Sequence, residues 1–266
     1  MPNLLHYTYM RIELMVVFFA CVTGCAGPNE IYLKKISMDI PLSTFGHRTE
    51  RMQKGKATIS NEGPFPDDFP PSRNIVFEDK RKYKIFDNGP GYAFPAYNVV
   101  HFYDLKDVRA NRTIATYAKD LKRALTERRD ARSLKRPYTT LPDFPPRNAG
   151  HLVQDKVEYV DLPWGKGVFY LAEFTQGPGN FPNNDELIYL FQGLSHDGRI
   201  YVAADFRVIS SLLAKNEDKR PSSASNDIDD AAEAMARRLD DEPDSAFNPN
   251  LSAIRLWIAS IKIPNS

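Results

Sequence analysis

The chain has 266 residues, 42% hydrophobic and 26% charged, so it can build a real core and suits one domain better than two. A formal net charge of +1 predicts no general affinity for nucleic acid or for acidic surfaces. Two cysteines, Cys21 and Cys25, leave little room for thiol chemistry. Both lie at the end of the first distinctive stretch. Leu14–Val22 is a nine-residue apolar run behind Arg11. It is too short to span a bilayer as a helix and suits the core of a secretory signal. Met10 is an alternative start to Met1, because Met1–Tyr9 adds nothing signal-like.

Val22-Thr-Gly-Cys25 follows the run and resembles a bacterial lipobox. The resemblance implies cleavage before Cys25 and acylation of Cys25, so residues 1–24 are a lipoprotein signal peptide. Cys21 would then be removed and Cys25 blocked, which leaves no disulfide, thiolate nucleophile or cysteine metal site. Several acyl chains on one cysteine give lasting anchorage. The expected place is the cell envelope, with the protein lipid-anchored. Ala26 resembles the residue after the cysteine in lipoproteins of the Gram-negative outer membrane, facing the periplasm. The competing reading is a buried N-terminal helix with an incidental cysteine.

Residues 25–64 read as a tether and N-terminal segment, with a strand possible at Ile31–Ile40; residues 65–266 read as a single α+β domain. Asn74–Glu78 and Tyr97–Leu105 are strand candidates; in the second, Val99, His101 and Tyr103 share one face and Val100 and Phe102 the other. His101 is expected to be a hydrogen-bonded sheet residue. Thr113–Arg129 is the best helix of the first half, with Ile114, Tyr117, Leu121 and Leu125 on one stripe and Thr113 as its cap. Lys119–Arg136 holds eight Lys/Arg against Asp120, Glu127 and Asp130, a net +5. That reads either as a solvated helix face with its exit loop or as a contact for anionic lipid. Four prolines in Pro137–Arg147 mark a long connection.

Val157–Val208 is the framework. Lys156–Leu162 alternates apolar and polar residues, Pro163–Gly167 forms a turn, and Val168–Thr175 favours a strand. Glu186–Leu194 and Arg199–Val208 are two more strands about a turn at Ser195–Gly198, with Gly198 free to take positive φ. Short turns between successive strands imply an antiparallel meander. Asn226 is expected to cap a helix to Leu239 with Ile228, Ala231, Met235 and Leu239 on its stripe; Ser225–Ser245 has net charge −6. It reads as a candidate to face the basic segment. Asn248 is expected to cap the last helix, with Pro249 first and Leu251, Ile254, Ile258 and Ile261 buried.

The fold class is therefore α+β, an antiparallel meander sheet of five to seven strands with helices packed on it. Its element order is similar to the α/β/α sandwich of photosystem PsbP-like domains, an analogy that carries no function. Asn183-Asn-Asp-Glu-Leu187, Tyr189-Leu-Phe-Gln-Gly-Leu194, Asp197-Gly-Arg-Ile-Tyr-Val202 and Phe247-Asn-Pro-Asn-Leu251 resemble a family of bacterial secreted proteins and lipoproteins of unknown function. That resemblance implies an α+β domain outside the cytoplasm and no activity.

No motif specifies a reaction. Ser195-His196-Asp197 has the residue types of a hydrolase triad, but neighbours in a turn diverge, and no Gly-x-Ser-x-Gly supports it. His47, His101, His151 and His196 lack metal-ligand spacing, and Asp67-Asp68 and Asp185-Glu186 are too few for calcium; no metal or cofactor is expected. The expected function is a non-catalytic binding module for an unknown envelope protein or small ligand; the alternative is an envelope hydrolase whose site is not legible. The expected binding residues are Trp164 with the long loop Gln176–Asp185, where Phe181 offers an apolar contact and Asn183 and Asn184 offer amides. Trp164 and the loop leave one strand at opposite ends, so they form one site only if the sheet curls or another element bridges them. Otherwise Phe181 plugs the core edge and the asparagines close turns.

Overall fold

The computed structural model describes residues 32–39, 48–53, 72–77, 98–106, 112–129, 141–147, 149–175, 180–214 and 225–264. The lipobox, the Asp67-Asp68 pair, His47, residues 130–136 and Gln176–Gly179 lie outside them.

One seven-stranded antiparallel sheet carries the fold. Its strands are β1 (Arg48–Gln53), β2 (Ser72–Phe77), β3 (Val99–Asp104), β4 (Gly150–Leu162), β5 (Gly165–Thr175), β6 (Ile188–Ser195) and β7 (Ile200–Arg207), in spatial order β1-β2-β3-β7-β6-β5-β4. The expected meander is β4 to β7, each strand beside the next. Two of its three connections are short, because Pro163-Trp164 and His196–Gly198 make the turns, with Gly198 at φ +69°; β5 and β6 are joined by the longer stretch 176–187. Helix α1 (Arg112–Glu127) packs over β5 and β6; α2 (Ser225–Asp241) packs on β4; α3 (Leu251–Ala259) follows a 3-10 turn at Asp244–Ala246. A two-stranded ribbon of β8 (Ile209–Ser210) and β9 (Phe247–Asn248) ties the exit of β7 to the start of α3.

The period of two sorts the strand residues into two cores. On one face Phe102, Phe169, Phe191, Val202 and Phe206 meet Ala236 and Leu239 of α2 and Leu251, Ile254 and Ile258 of α3. On the other, Tyr103, Tyr170, Leu190 and Tyr201 meet Ile114, Leu121 and Leu125 of α1. In α1, Ile114, Leu121 and Leu125 of the expected stripe are buried and Tyr117 is half-buried; Leu251, Ile254 and Ile258 of α3 are buried, as is Ile261 just past its end. The acidic helix and the basic helix lie on opposite faces of the sheet, so they do not face each other.

Several local expectations are corrected. The domain does not begin at residue 65: Leu33, Ile36 and Met38 are core, and β1 pairs with β2. Ile31–Ile40 is not a strand in its described part; Tyr32–Lys34 is a helical turn, and only Ser37 bridges, to Lys262. β4 starts at Gly150 rather than Lys156. Lys156 sits at a bulge with φ +51°, where its N–H donates to Asp240 Oδ1 at 2.8 Å. Thr113 and Asn226 fall inside their helices rather than before them. The α2 stripe is turned toward Ala232, Ala236 and Leu239, and Ile228, Ala231 and Met235 are half-buried. Asn250, not Asn248, caps α3, accepting from Ser252 N at 2.8 Å, because Asn248 is taken into the β8–β9 ribbon.

Candidate functional site

Trp164 is buried in the turn between β4 and β5, its Nε1–H donating to Ile258 O at 2.9 Å and its ring 5.9 Å from that of Phe191. Asn183 is 1% exposed. Its backbone N–H and its side-chain amide donate to the two carboxylate oxygens of Glu173, each at 3.0 Å, and its Oδ1 accepts from Asp185 N. Asn184 donates to Ser210 O and Leu213 O and accepts from Ser210 N at 2.7 Å. These bonds stitch the loop to the end of β5 and to β8. Phe181 is half-buried. Trp164 bonds Ile258 whereas the asparagines bond Glu173, Ser210 and Leu213, so among the described residues the two groups stay apart, and the amides serve the turns. Ser195, His196 and Asp197 form a turn: Ser195 Oγ donates to Asp197 Oδ1 at 2.5 Å and accepts from Ile200 N, and His196 points to solvent. Among the described residues no cluster of His, Cys, Asp and Glu is fit to hold a metal ion.

A concave site lies elsewhere among the described residues, on the face that carries α1. A groove of about 670 Å³ runs between α1, the connection Leu141–Ala149 and the β4–β5 edge. The connection has no regular structure, yet side chains fasten it strand-like to the sheet. Gln192 of β6 receives Phe144 N at 3.3 Å and donates to Phe144 O at 3.1 Å. Tyr170 O–H donates to Pro142 O, and Phe144 packs edge-on against Tyr103 at 4.9 Å. Arg147 supplies the strongest tie. It bonds Asp143 at 2.5 Å and also Asp205, a core residue of β7. A buried carboxylate needs a cation, and the fold brings one from a connection distant in sequence.

The electrostatics follow from that burial. Burial pushes the Asp205 carboxyl up to about 6, against the pull of Arg147 and with a further push from Asp143. Burial works against the Arg147 charge too, but Asp143 and Asp205 outweigh it and hold the guanidinium above its ordinary range. His101, beside Asn74 Oδ1 at 2.8 Å, is the hydrogen-bonded sheet residue the strand pattern predicts; burial, then Arg147, lowers it to about 3. Burial raises the Tyr117 and Tyr159 phenols, so both present O–H groups at neutral pH.

The groove wall is chemically mixed. Phe174 lies 4.5 Å from the His151 ring and 4.6 Å from the Arg147 guanidinium. Three carboxylates line the groove, Asp120, Glu127 and Asp143, and three guanidinium groups, Arg123, Arg129 and Arg147. They are matched: Arg123 with Asp120 at 3.1 Å, Arg129 with Glu127 at 2.7 Å, Arg147 with Asp143. Thr116 is the one aliphatic hydroxyl among the lining residues. Asp205, the carboxyl tuned toward neutrality, lies beneath Arg147 and does not line the groove.

Sequence reasoning passes over this site because its residues come from α1, a proline-rich connection and two strands. One signal was there to read: Asp205 interrupts the apolar run Tyr201–Phe206, and a charge at such a position calls for a distant partner. Among the described residues no helix is long and apolar enough to cross a membrane. No family model, no curated protein and no solved structure matches the chain.

Proposed function

We propose that the chain is a lipid-anchored protein of the bacterial envelope, held by Cys25, that binds a small ligand in the groove beside α1 without transforming it. The observation that carries the binding reading is the internal pairing of every charge in the groove wall. A catalytic acid, base or nucleophile must be free to exchange protons or electrons with a substrate. Here the lining carboxylates are committed to arginines. The rest of the wall is the apolar surface of Leu141, Pro142 and Phe174, the Tyr117 and Tyr159 phenols, the Thr116 hydroxyl and the His151 ring, which fits an uncharged or zwitterionic molecule with an apolar face. The lipobox at Val22–Cys25 supports the anchor, and the resemblance to secreted proteins and lipoproteins agrees with that location.

The test uses the full chain expressed with its own leader and extracted from membranes. Intact mass spectrometry should find Cys25 as the acylated N-terminus. Gentle ionisation should also release a bound small molecule. Ala124→Trp, which places an indole in the groove from a half-buried position on α1, should lose that molecule while keeping its melting temperature. Retention by Ala124→Trp, or no bound molecule in the parent, overturns the groove as the binding site. Membrane partitioning of Cys25→Ala with unchanged mass overturns the anchor.

A further inference from the structure

Residues Tyr32–Asp39 form a strap laid on the core face opposite α1, and its fastening is specific. Arg73 of β2 donates from Nη1 to Leu33 O at 3.0 Å and to Ile36 O, and is itself held by Glu50 at 2.6 Å. The Tyr32 ring lies 3.5 Å beneath the Arg199 guanidinium, which is paired with Asp104, and its O–H donates to Pro264 O at 2.6 Å. Ser37 exchanges backbone bonds with Lys262, and Asp39 N donates to Ser260 Oγ. With Leu33, Ile36 and Met38 at 0, 1 and 3% exposure, the strap is part of the core.

That fastening limits how far an anchor at Cys25 can stand from the body. Seven residue steps separate Cys25 from Tyr32, at most about 25 Å of extended chain. A body of this length has a radius of gyration of about 18 Å, so reaching its far side takes a path on the order of 70 Å around it. The short tether therefore favours the strap side over the α1 side for contact with the bilayer. One turn before Ser260, which bonds the strap at Asp39, Leu256 on α3 is the one large apolar side chain strongly exposed among the described residues, at 70%. Lys34 and Lys35 of the strap and Lys262 beside it are exposed, against the carboxylates of Asp39 and Asp197, with the acidic helix α2 on the same core face; Arg199 and Asp104 cancel.

We propose that the strap face, formed by Tyr32–Asp39 and by Leu256–Pro264, lies on the headgroup surface of the bilayer, so that the groove opens into the aqueous compartment. This rests on the lipid anchor at Cys25. It assigns lipid contact to Leu256 and the strap lysines and removes it from the basic face of α1. It also sets the source of the groove's occupant, a molecule dissolved in the aqueous phase rather than one drawn from the membrane.

Site-directed spin labelling of the lipidated full chain tests it, in vesicles of phosphatidylethanolamine and phosphatidylglycerol. Acylated Cys25 takes no label, so Leu256→Cys and Lys122→Cys each give one reactive thiol, at exposed positions on opposite sides of the sheet. The label at 256 should collide more with oxygen and several-fold less with a water-soluble nickel chelate than the label at 122. Lys34→Glu with Lys35→Glu should weaken that shielding. Equal nickel access at the two positions, or shielding at 122, overturns the orientation. The mass of the same sample separates the two levels: an acylated Cys25 with a wet 256 position sinks the orientation alone, and a free Cys25 sinks the anchor and the orientation together.

Discussion

The two faces of the sheet are built on different physics. The face under α2 and α3 is dry and aromatic. Phe191 packs at a tilt against Phe169 at 4.5 Å and sits so close to Gly167 and Gly193 that a Cβ on either would strike its ring. Its cohesion comes from buried area and fit. The face under α1 is threaded with polar groups: Gln192, Tyr170, Tyr201, His101 and the Asp143–Arg147–Asp205 network. Such a network adds little net stability over an apolar core, but it fixes a connection that has no helix or strand to hold it. The first face secures the body and the strap; the second positions a groove wall.

The largest effects should come from the dry face. Phe191→Ala is expected to cost about 3–5 kcal/mol and Ile258→Ala about 2–5 kcal/mol, with a cavity that neighbours cannot fill; urea unfolding measures both. On the polar face, Arg147→Met leaves Asp143 and Asp205 unanswered and should cost about 3–5 kcal/mol at neutral pH. Arg147→Met with Asp205→Leu should recover most of that loss. No recovery would mean that the network is not the organising tie of the connection.

A pH series sharpens the contrast. Asp205 is raised to about 6, so its folded form keeps a proton that the unfolded chain has released. The stability linked to it is full in acid and is lost as pH rises from about 4 to 6. His101 is lowered to about 3, so its folded form refuses a proton that the unfolded chain accepts. Its contribution is full above about pH 6.5 and is lost as pH falls toward 3. The two slopes oppose each other. Relative to the parent, Asp205→Asn should gain on the order of 3 kcal/mol between pH 4 and pH 6. His101→Gln should drift the opposite way, and Phe191→Ala should show no pH trend of its own. Parallel profiles for Asp205→Asn and the parent would contradict the buried-acid account.

The smallest effect belongs to the loop before β6. Asn184→Ala removes three hydrogen bonds to the backbone of residues 210–213 and should cost about 1–3 kcal/mol, with the occupancy of the groove unchanged. A loss of bound molecule at constant stability would return that loop to consideration as a site.

Much of the sheet was legible because its signals are local. Turn formers at Pro163-Trp164 and His196–Gly198 close hairpins between alternating runs, and α1 and α3 carry their stripes at helical spacing. The errors arose where two local signals competed. Asn248 and Asn250 flank Pro249 and either suits a cap; pairing of Asn248 with Ile209 leaves the role to Asn250. Asn183 and Asn184 offered amides in a long loop, and tertiary contacts with Glu173 and Ser210 consumed them.

What the sequence by itself determined is whatever depends on neighbours a few residues away: the meander, the amphipathic stripes, and the apolar run ending in a lipobox-like tetrapeptide. The groove and the strap were decided only by the tertiary structure. Arg147 and Asp205 lie 58 residues apart, and Tyr32 and Pro264 lie 232 apart. No periodicity encodes such pairs. They are selected because a charge or a backbone carbonyl taken into the core must find its partner from whichever segment the packed sheet brings within hydrogen-bond reach.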